Sequence, residues 1–154
     1  LMVRGFLLNN ELTDFSFRAN DGTTPIANRA APGKRPRSSM APTLVFDSQG
    51  RAMMALGSPG GSRIIGYVVK TLIAALDWGM DIQAAIELPH FVNRNGATDL
   101  EKGTAASALK AALESLGHEV KVRDMTSGLH GIMAAGGSLM GGADPRREGV
   151  AVGD

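Results

Sequence analysis

The 154-residue chain contains no cysteine. That excludes a disulfide framework and thiolate metal sites, and it fits cytoplasm and periplasm equally well. Aromatic residues are scarce: one Trp, one Tyr and five Phe stand against twenty Gly. Tight turns and close backbone approaches are therefore expected, rather than an aromatic-rich interior. An excess of one charge is lacking too, since a net charge of +1 gives no global reason to expect nucleic acid or a membrane surface as partner. No apolar run reaches the ~18 residues that span a bilayer, because Gly66, Tyr67 and Lys70 interrupt the best candidate. The opening Leu1-Met2-Val3-Arg4 carries no apolar h-region or cleavage site and is not a signal peptide. It reads as a chain joined mid-strand. There is no internal repeat, low-complexity tract or linker, so the chain reads as a single domain with its own core.

What is present alternates strand and helix signals. Residues 2–10 are apolar and predict a buried strand or the entry to one. Residues 20–36, with Asn20-Asp21-Gly22, Pro25, Pro32, Gly33 and Pro36, form a long irregular connection. Residues 43–47 and 51–56 flank Ser48-Gln49-Gly50 as a hairpin. A helix is expected over 61–78, with Ile64, Ile65, Val68, Val69, Leu72, Ile73 and Leu76 as one broad apolar face and Gly79 as its C-terminal stop. Asp81 should cap a short helix over 82–88. Thr104 should cap a third, with Leu109, Ala112, Leu113 and Leu116 inward and Gly117 ending it. Residues 118–124 alternate as a half-exposed strand, and 129–135 with 138–142 pair around Gly136-Gly137. Runs of strands around packed helices point to an α/β layered domain.

The most informative stretch is Gly57-Ser58-Pro59-Gly60-Gly61-Ser62-Arg63, directly before the long helix. Adjacent glycines leave backbone N–H groups unshielded at a helix N-terminus, where the macrodipole favours negative charge. The stretch reads either as an anion or oxyanion site or as a plain strand–turn–helix connection. It is not a nucleotide P-loop, for no Gly-Lys-Ser/Thr follows. Ser38-Ser39 at a loop–strand junction offers two hydroxyls to a carboxylate, or forms an ordinary turn. Glu11 and Asp14, three residues apart, either converge on an ammonium group or are solvated acids at an element boundary. Arg29, Lys34, Arg35 and Arg37 make a positive patch without the interleaved aromatics of a nucleic-acid binder. His90, His118 and His130 lack metal-ligand spacing and read as packing or surface residues. Ser107-Ala108-Leu109-Lys110 matches a Ser-x-x-Lys pattern but lacks its Ser-Asp-Asn and Lys-Thr-Gly partners. The residues thus offer binding groups for a zwitterion and an oxyanion, without a nucleophile.

In order, the segments 5–15 (GFLLNNELTDF), 34–43 (KRPRSSMAPT) and 57–62 (GSPGGS), followed by Asp144-Pro145-Arg146, Gly149 and Ala151, resemble the small subunit of gamma-glutamyltransferases. The resemblance runs from about Gly5 onward. It implies an α+β fold, the αββα sandwich of N-terminal-nucleophile hydrolases. The chain would be the C-terminal portion of the small subunit (residues 1–154), a partial sandwich lacking the nucleophile strand. It further implies a precursor that cleaves itself into two subunits. The new N-terminal threonine, with its own α-amino group as base, attacks a gamma-glutamyl amide such as glutathione. Water, an amino acid or a peptide then takes the acyl group.

By resemblance, Glu11 and Asp14 match the residues that hold the donor's α-ammonium, and Ser38 and Ser39 the pair that binds its α-carboxylate. Gly60 and Gly61 match the backbone oxyanion hole. No cofactor or metal is implied. The partners are the donor, its acceptor and the large subunit, and the location is periplasmic or secreted. The threonine is expected a few tens of residues before Leu1. The segment between Asp14 and Ser38 is shorter than in members with a lid, and no tyrosine matches the lid's, so an open, wet donor pocket is expected. Two alternatives remain: a glutaryl-type acylase on the same scaffold, and a non-catalytic binding protein with a decayed site.

Overall fold

A computed structural model describes residues 2–153. It divides into two compact units, Leu1–Ser38 and Ser39–Asp154.

The first unit has little regular structure. β1 (Met2–Val3) and β2 (Phe6–Leu7) pair as an antiparallel hairpin. The buried strand expected over 2–10 is not what forms. Met2 and Leu7 are 62% and 78% exposed, because Arg4 and Gly5 both take positive φ and reverse the chain after two residues. One 3-10 turn follows (Glu11–Asp14). The expected irregular connection contains a second small hairpin, β3 (Asn20–Asp21) with β4 (Thr24–Pro25).

The second unit holds the core. Its main sheet is antiparallel, in the order β11-β10-β6-β5. The members are β5 (Thr43–Phe46), β6 (Ala52–Gly57), β10 (His130–Ala135) and β11 (Ser138–Ala143). Both expected hairpins are there, the first tied by Asp47, whose Oδ1 accepts from the N–H groups of Gln49 and Arg51. A smaller sheet joins β7 (Phe91–Asn93), β8 (Thr98–Glu101) and β9 (Val120–Arg123), with β7–β8 antiparallel and β8–β9 parallel. α1 (Ile64–Leu76) follows a 3-10 turn over Gly61–Arg63, and Gly79 ends it as expected, with Met80 N–H reaching Ala74 O. α2 (Ile82–Glu87) is capped by Asp81, which accepts from Ala84 N–H at 2.9 Å.

Helix α1 departs from its expected face in an informative way. Ile64, Tyr67, Val68, Lys70, Thr71, Ala74 and Ala75 are buried, whereas Ile65, Val69, Ile73 and Leu76 are half exposed. The two apolar rows lie about 100° apart around the helix, and the buried face is centred to one side of both, on Tyr67, Thr71 and Ala74, with α2 and β7 as its neighbours. Tyr67 and Lys70, which looked like interruptions, lie on the buried face. α3 (Lys110–Ser115) departs too. Five residues of 3-10 helix (Ala105–Leu109) precede it, and their three-residue period advances the phase so that Ala106 points inward. Leu109 and Leu116, expected inward, are 51% and 76% exposed.

The core packs Met54 and Leu56 of β6, the buried row of α1, and Ile82, Ala85 and Ile86 of α2, closed by Met125 and Leu129. α2 lies directly on β10 and β11, where a Cβ on Gly131 would come within 2.9 Å of Ile82 and one on Gly142 within 2.8 Å of Ile86. Glycine there is a requirement of close approach. Among the described residues the opposite sheet face is apolar and covered only by the 150–152 segment: Leu44, Phe46 and Ile132 are all more than half exposed. A groove of about 890 Å³ runs along it, bordered by Leu44, Ala55, Ile132, Val150 and Val152.

Candidate active site

In the first unit, the turn Glu11–Asp14 places its two acids together. A 3-10 helix repeats every three residues, so side chains at i and i+3 eclipse and share one edge. Asn9 Oδ1 accepts the Glu11 N–H at 3.0 Å, and Thr13 bonds back to Asn10 O through both N–H and hydroxyl. Glu11 Oε1 is buried, with no hydrogen-bond partner among the described residues. A carboxylate oxygen in that condition is costly unless a cation or donor completes it.

Asn28, which sequence reasoning passed over, braces the turn. Its Nδ2 donates to Asp14 O at 2.7 Å, and its Oδ1 accepts the Arg37 N–H at 2.9 Å. Its own carbonyl takes the Ser16 N–H. One amide side chain thus links the acidic turn to the segment leading into Ser38. Lys34, of the positive patch, donates from its ammonium to Ala27 O. Ser38 closes the first unit and Ser39 opens the second. Both lie in extended chain without regular structure, Ser38 exposed and Ser39 half buried.

In the second unit, Gly60 and Gly61 stand between β6 and α1. Gly60 has φ 137° and ψ 12°, and Gly61 has φ 57°, conformations that L side chains rarely adopt. The helical segment that follows leaves its first N–H groups without intrahelical acceptors, at the positive end of the macrodipole. Three contacts hold this turn. Ser58 Oγ donates to Pro59 O at 2.7 Å and accepts the Gly128 N–H at 3.2 Å. Arg63 donates twice to Asp99 Oδ2, at 2.9 and 2.6 Å, tying the first helical turn to β8. Arg94 donates to Ser62 Oγ.

Behind the turn lies a buried polar network that the sequence does not announce beyond the motif Asp144-Pro145-Arg146. Arg146 donates to Glu101 and Asp144, and to the carbonyls of Ile86, Glu87 and Leu88. His90 Nε2 meets Ser127 Oγ at 2.8 Å, and that hydroxyl donates to Asp144 Oδ2 at 2.6 Å. The serine, not the histidine, is in the middle, and Ser127, His90 and Asp144 are all fully buried. This arrangement is therefore no Ser–His–Asp triad, in which histidine must bridge the other two.

Burial pushes the His90 imidazole down to about 3, helped by the Lys70 and Arg146 cations, so His90 is neutral. Burial likewise lowers Lys70 to about 8, with its ammonium donating to Leu88 O at 2.7 Å. For Glu101 and Asp144 burial acts upward. The bonds from Arg146, and from the His90 N–H to Glu101 and the Ser127 hydroxyl to Asp144, outweigh it and hold both carboxyls below their ordinary range. Among the described residues no cluster of three His, Asp or Glu side chains could hold a metal. Among the same residues no helix is long and apolar enough to cross a membrane.

Solved structures with the same arrangement of strands and helices define the class. The chain superposes with TM-score 0.78 on an acivicin-inhibited gamma-glutamyltranspeptidase at 31% identity, covering 94% of this chain and 82% of that one. On the T380A mutant of the Helicobacter pylori gamma-glutamyltranspeptidase the TM-score is 0.77, again at 31% identity, covering 94% and 83%. A cephalosporin acylase from Bacillus halodurans matches in fold alone, with TM-score 0.72 at 23% identity, covering 92% and 26%. The fold is thus the mixed helix-and-sheet domain of N-terminal-nucleophile hydrolases.

The gamma-glutamyltranspeptidase family profile matches residues 1–154, and the chain belongs to that family. It is 37% identical over 152 residues to the glutathione hydrolase proenzyme of Escherichia coli K12, covering 92% of this chain and 26% of that one. To the Bacillus subtilis 168 proenzyme it is 35% identical over 153 residues, covering 97% and 25%. The chain therefore spans about a quarter of the length of these relatives.

Proposed function

We propose that this chain is the C-terminal portion of the small subunit of a gamma-glutamyl hydrolase/transpeptidase precursor. In this reading it supplies donor-reading and oxyanion groups, while the nucleophilic threonine and the large subunit come from the rest of the precursor. The threonine hydroxyl would add to the γ-carbonyl carbon of glutathione or a related amide, its own α-amino group taking the proton. Negative charge developing on the carbonyl oxygen would be met by the N–H groups of Gly60 and Gly61. Breaking the C–N bond releases the amine with a proton and leaves the acyl-enzyme, which water or an acceptor amine then cleaves. Glu11 and Asp14 would receive the donor's α-ammonium, and Ser38 and Ser39 its α-carboxylate. The remainder of the precursor would cover the apolar sheet face with a second sheet. Location in the periplasm or outside the cell is proposed from family resemblance.

The observation that carries this reading is the 3-10 turn that eclipses Glu11 and Asp14 while leaving a buried Glu11 oxygen without a partner. A ligand ammonium would complete that oxygen. The test is Asp14→Ala in the full-length parent, assayed on gamma-glutamyl and glutaryl anilides with the same leaving group. A charge-assisted contact is worth about 1.5–3 kcal/mol, so kcat/KM should fall by roughly one to two orders of magnitude for the first donor. The second should be nearly indifferent. Equal losses would assign Asp14 to the fold and favour a glutaryl-type acylase.

A further inference from the structure

The one tyrosine of the chain lies in an unusual place. A Cβ built on Gly60 would fall 2.7 Å from Tyr67 Cε2, 3.1 Å from Cδ2 and 3.7 Å from Ile64 Cγ1. The edge of the phenol ring thus occupies the space any side chain at position 60 would need. Gly61, by contrast, has open space where its Cβ would go, so only its backbone angle calls for glycine. Gly60 is held twice, by φ and by the ring.

The ring itself cannot drift. Tyr67 is fully buried, its hydroxyl 3.6 Å from Met125 Sδ, and its ring is tilted 43° against the His90 imidazole at a centroid distance of 4.3 Å. His90 is fully buried in turn and anchored through Ser127 to Asp144. Asp144 also accepts the Leu129 N–H at 3.0 Å, while the neighbouring Gly128 N–H reaches Ser58 Oγ. The polar network therefore grips the 58–61 turn at two points, at Ser58 through Gly128 and at Gly60 through the Tyr67 ring.

We infer that Tyr67 is a positioning residue: its ring edge, backed by His90, sets the backbone of Gly60 and so aims the N–H groups that open the helical segment. This rests on the oxyanion reading of Gly60 and Gly61. An oxyanion exists only as the transition state is approached, so a loosened turn lowers kcat and leaves ground-state donor binding nearly intact.

The experiment uses the mature full-length parent with a gamma-glutamyl anilide. Tyr67→Met fills similar volume without a rigid edge, and Tyr67→Leu is the second variant should the first fail to mature. Removing one oxyanion donor outright costs about a hundred- to a thousandfold. Misaiming it should lower kcat roughly tenfold or more, with KM changed by less than about threefold. Affinity for a boronate mimic of the tetrahedral adduct should fall in proportion to kcat. Tyr67→Phe, which keeps the ring, should retain wild-type kcat. Ile86→Ala, a cavity in the same core, should lower the melting temperature while kcat stays.

The inference is overturned if the Met and Leu variants lose no more kcat than Ile86→Ala, if their loss appears in KM, or if Tyr67→Phe is as impaired as they are. Two outcomes separate the levels. A loss of kcat in the Met and Leu variants without a matching loss of boronate affinity removes the oxyanion reading itself, whereas full activity in Gly60→Ala, which keeps the N–H but needs the space of the ring edge, removes only the backstop.

Discussion

The two units are built on opposite principles. No residue of the first whose exposure is described is fully buried. Its acidic turn is held by short-range bonds between side chains and backbone, from Asn9, Thr13 and Asn28. The second unit holds its glycine turn with a hydrophobic cluster and, behind that, a buried network of opposite charges. A hydrogen-bonded loop opens locally at little cost, whereas a turn tied into the core moves only if the core does. The division suits the proposed chemistry. Groups that admit and release a donor gain from softness, and groups that meet a transient charge gain from being fixed beforehand.

The largest effect expected from this contrast is on Arg146. Arg146→Met leaves Glu101 and Asp144 buried without their cation, and breaking such a pair from one side costs about 3–5 kcal/mol. The second unit should then unfold at much lower denaturant, measured by urea titration of Trp78 fluorescence. A midpoint within error of wild type would mean that the network is structurally idle.

Next comes acid sensitivity. His90 takes up a proton at about 6.5 when unfolded but only near 3 when folded. Its contribution is therefore complete above pH 6.5 and is lost as pH falls from there toward 3. Glu101 and Asp144, held low, lose theirs in the same direction at lower pH. Lys70 acts at the other end. Its folded value near 8 lies below the unfolded 10.5, so stability rises as pH climbs through that interval. His90→Gln should flatten the slope between pH 6.5 and about 4.5, and Lys70→Met the slope above 8, both read from urea midpoints across pH. Local opening of the first unit, which contains none of these groups, should show neither slope.

How far the sequence disclosed this division depended on which signal each region uses. Turn chemistry was legible, as the hairpins at Asp47 and at Gly136-Gly137 and the caps Asp81 and Thr104 demonstrate. Family motifs led to the candidate residues, and a 3-10 turn and two positive-φ glycines at those places fit the motifs. The buried charges stayed hidden. β8 reads Thr-Asp-Leu-Glu, half acidic, and nothing local says that Arg63 and Arg146, from distant segments, neutralise it. Lys70 and Tyr67 register in the sequence only as interruptions of an apolar run, because hydropathy scores a residue's polarity and not its partners. Met2 to Leu7 failed the other way. Its apolar character was real, but two positive-φ residues turned it back before a strand could grow.

The smallest effect, and the sharpest test of the contrast, concerns Asn28. Its side chain makes two neutral bonds, to Asp14 O and from the Arg37 N–H, each worth about 0.5–1.5 kcal/mol. Asn28→Ala should therefore speed amide exchange at Arg37 by roughly tenfold, since a loss of about 1.4 kcal/mol is one decade in an opening equilibrium. Asn28→Asp keeps the acceptor for Arg37 and loses the donor to Asp14, so its exchange at Arg37 should lie between the two. Under the proposed function, the donor's KM in the full-length parent should rise a few-fold while kcat holds, because only the acidic turn has loosened. The urea midpoint of the second unit should not move in either variant. A midpoint shift as large as that of Arg146→Met would show that the first unit shares one cooperative core with the second, and the opposition between a soft acidic turn and a fixed glycine turn would fall with it.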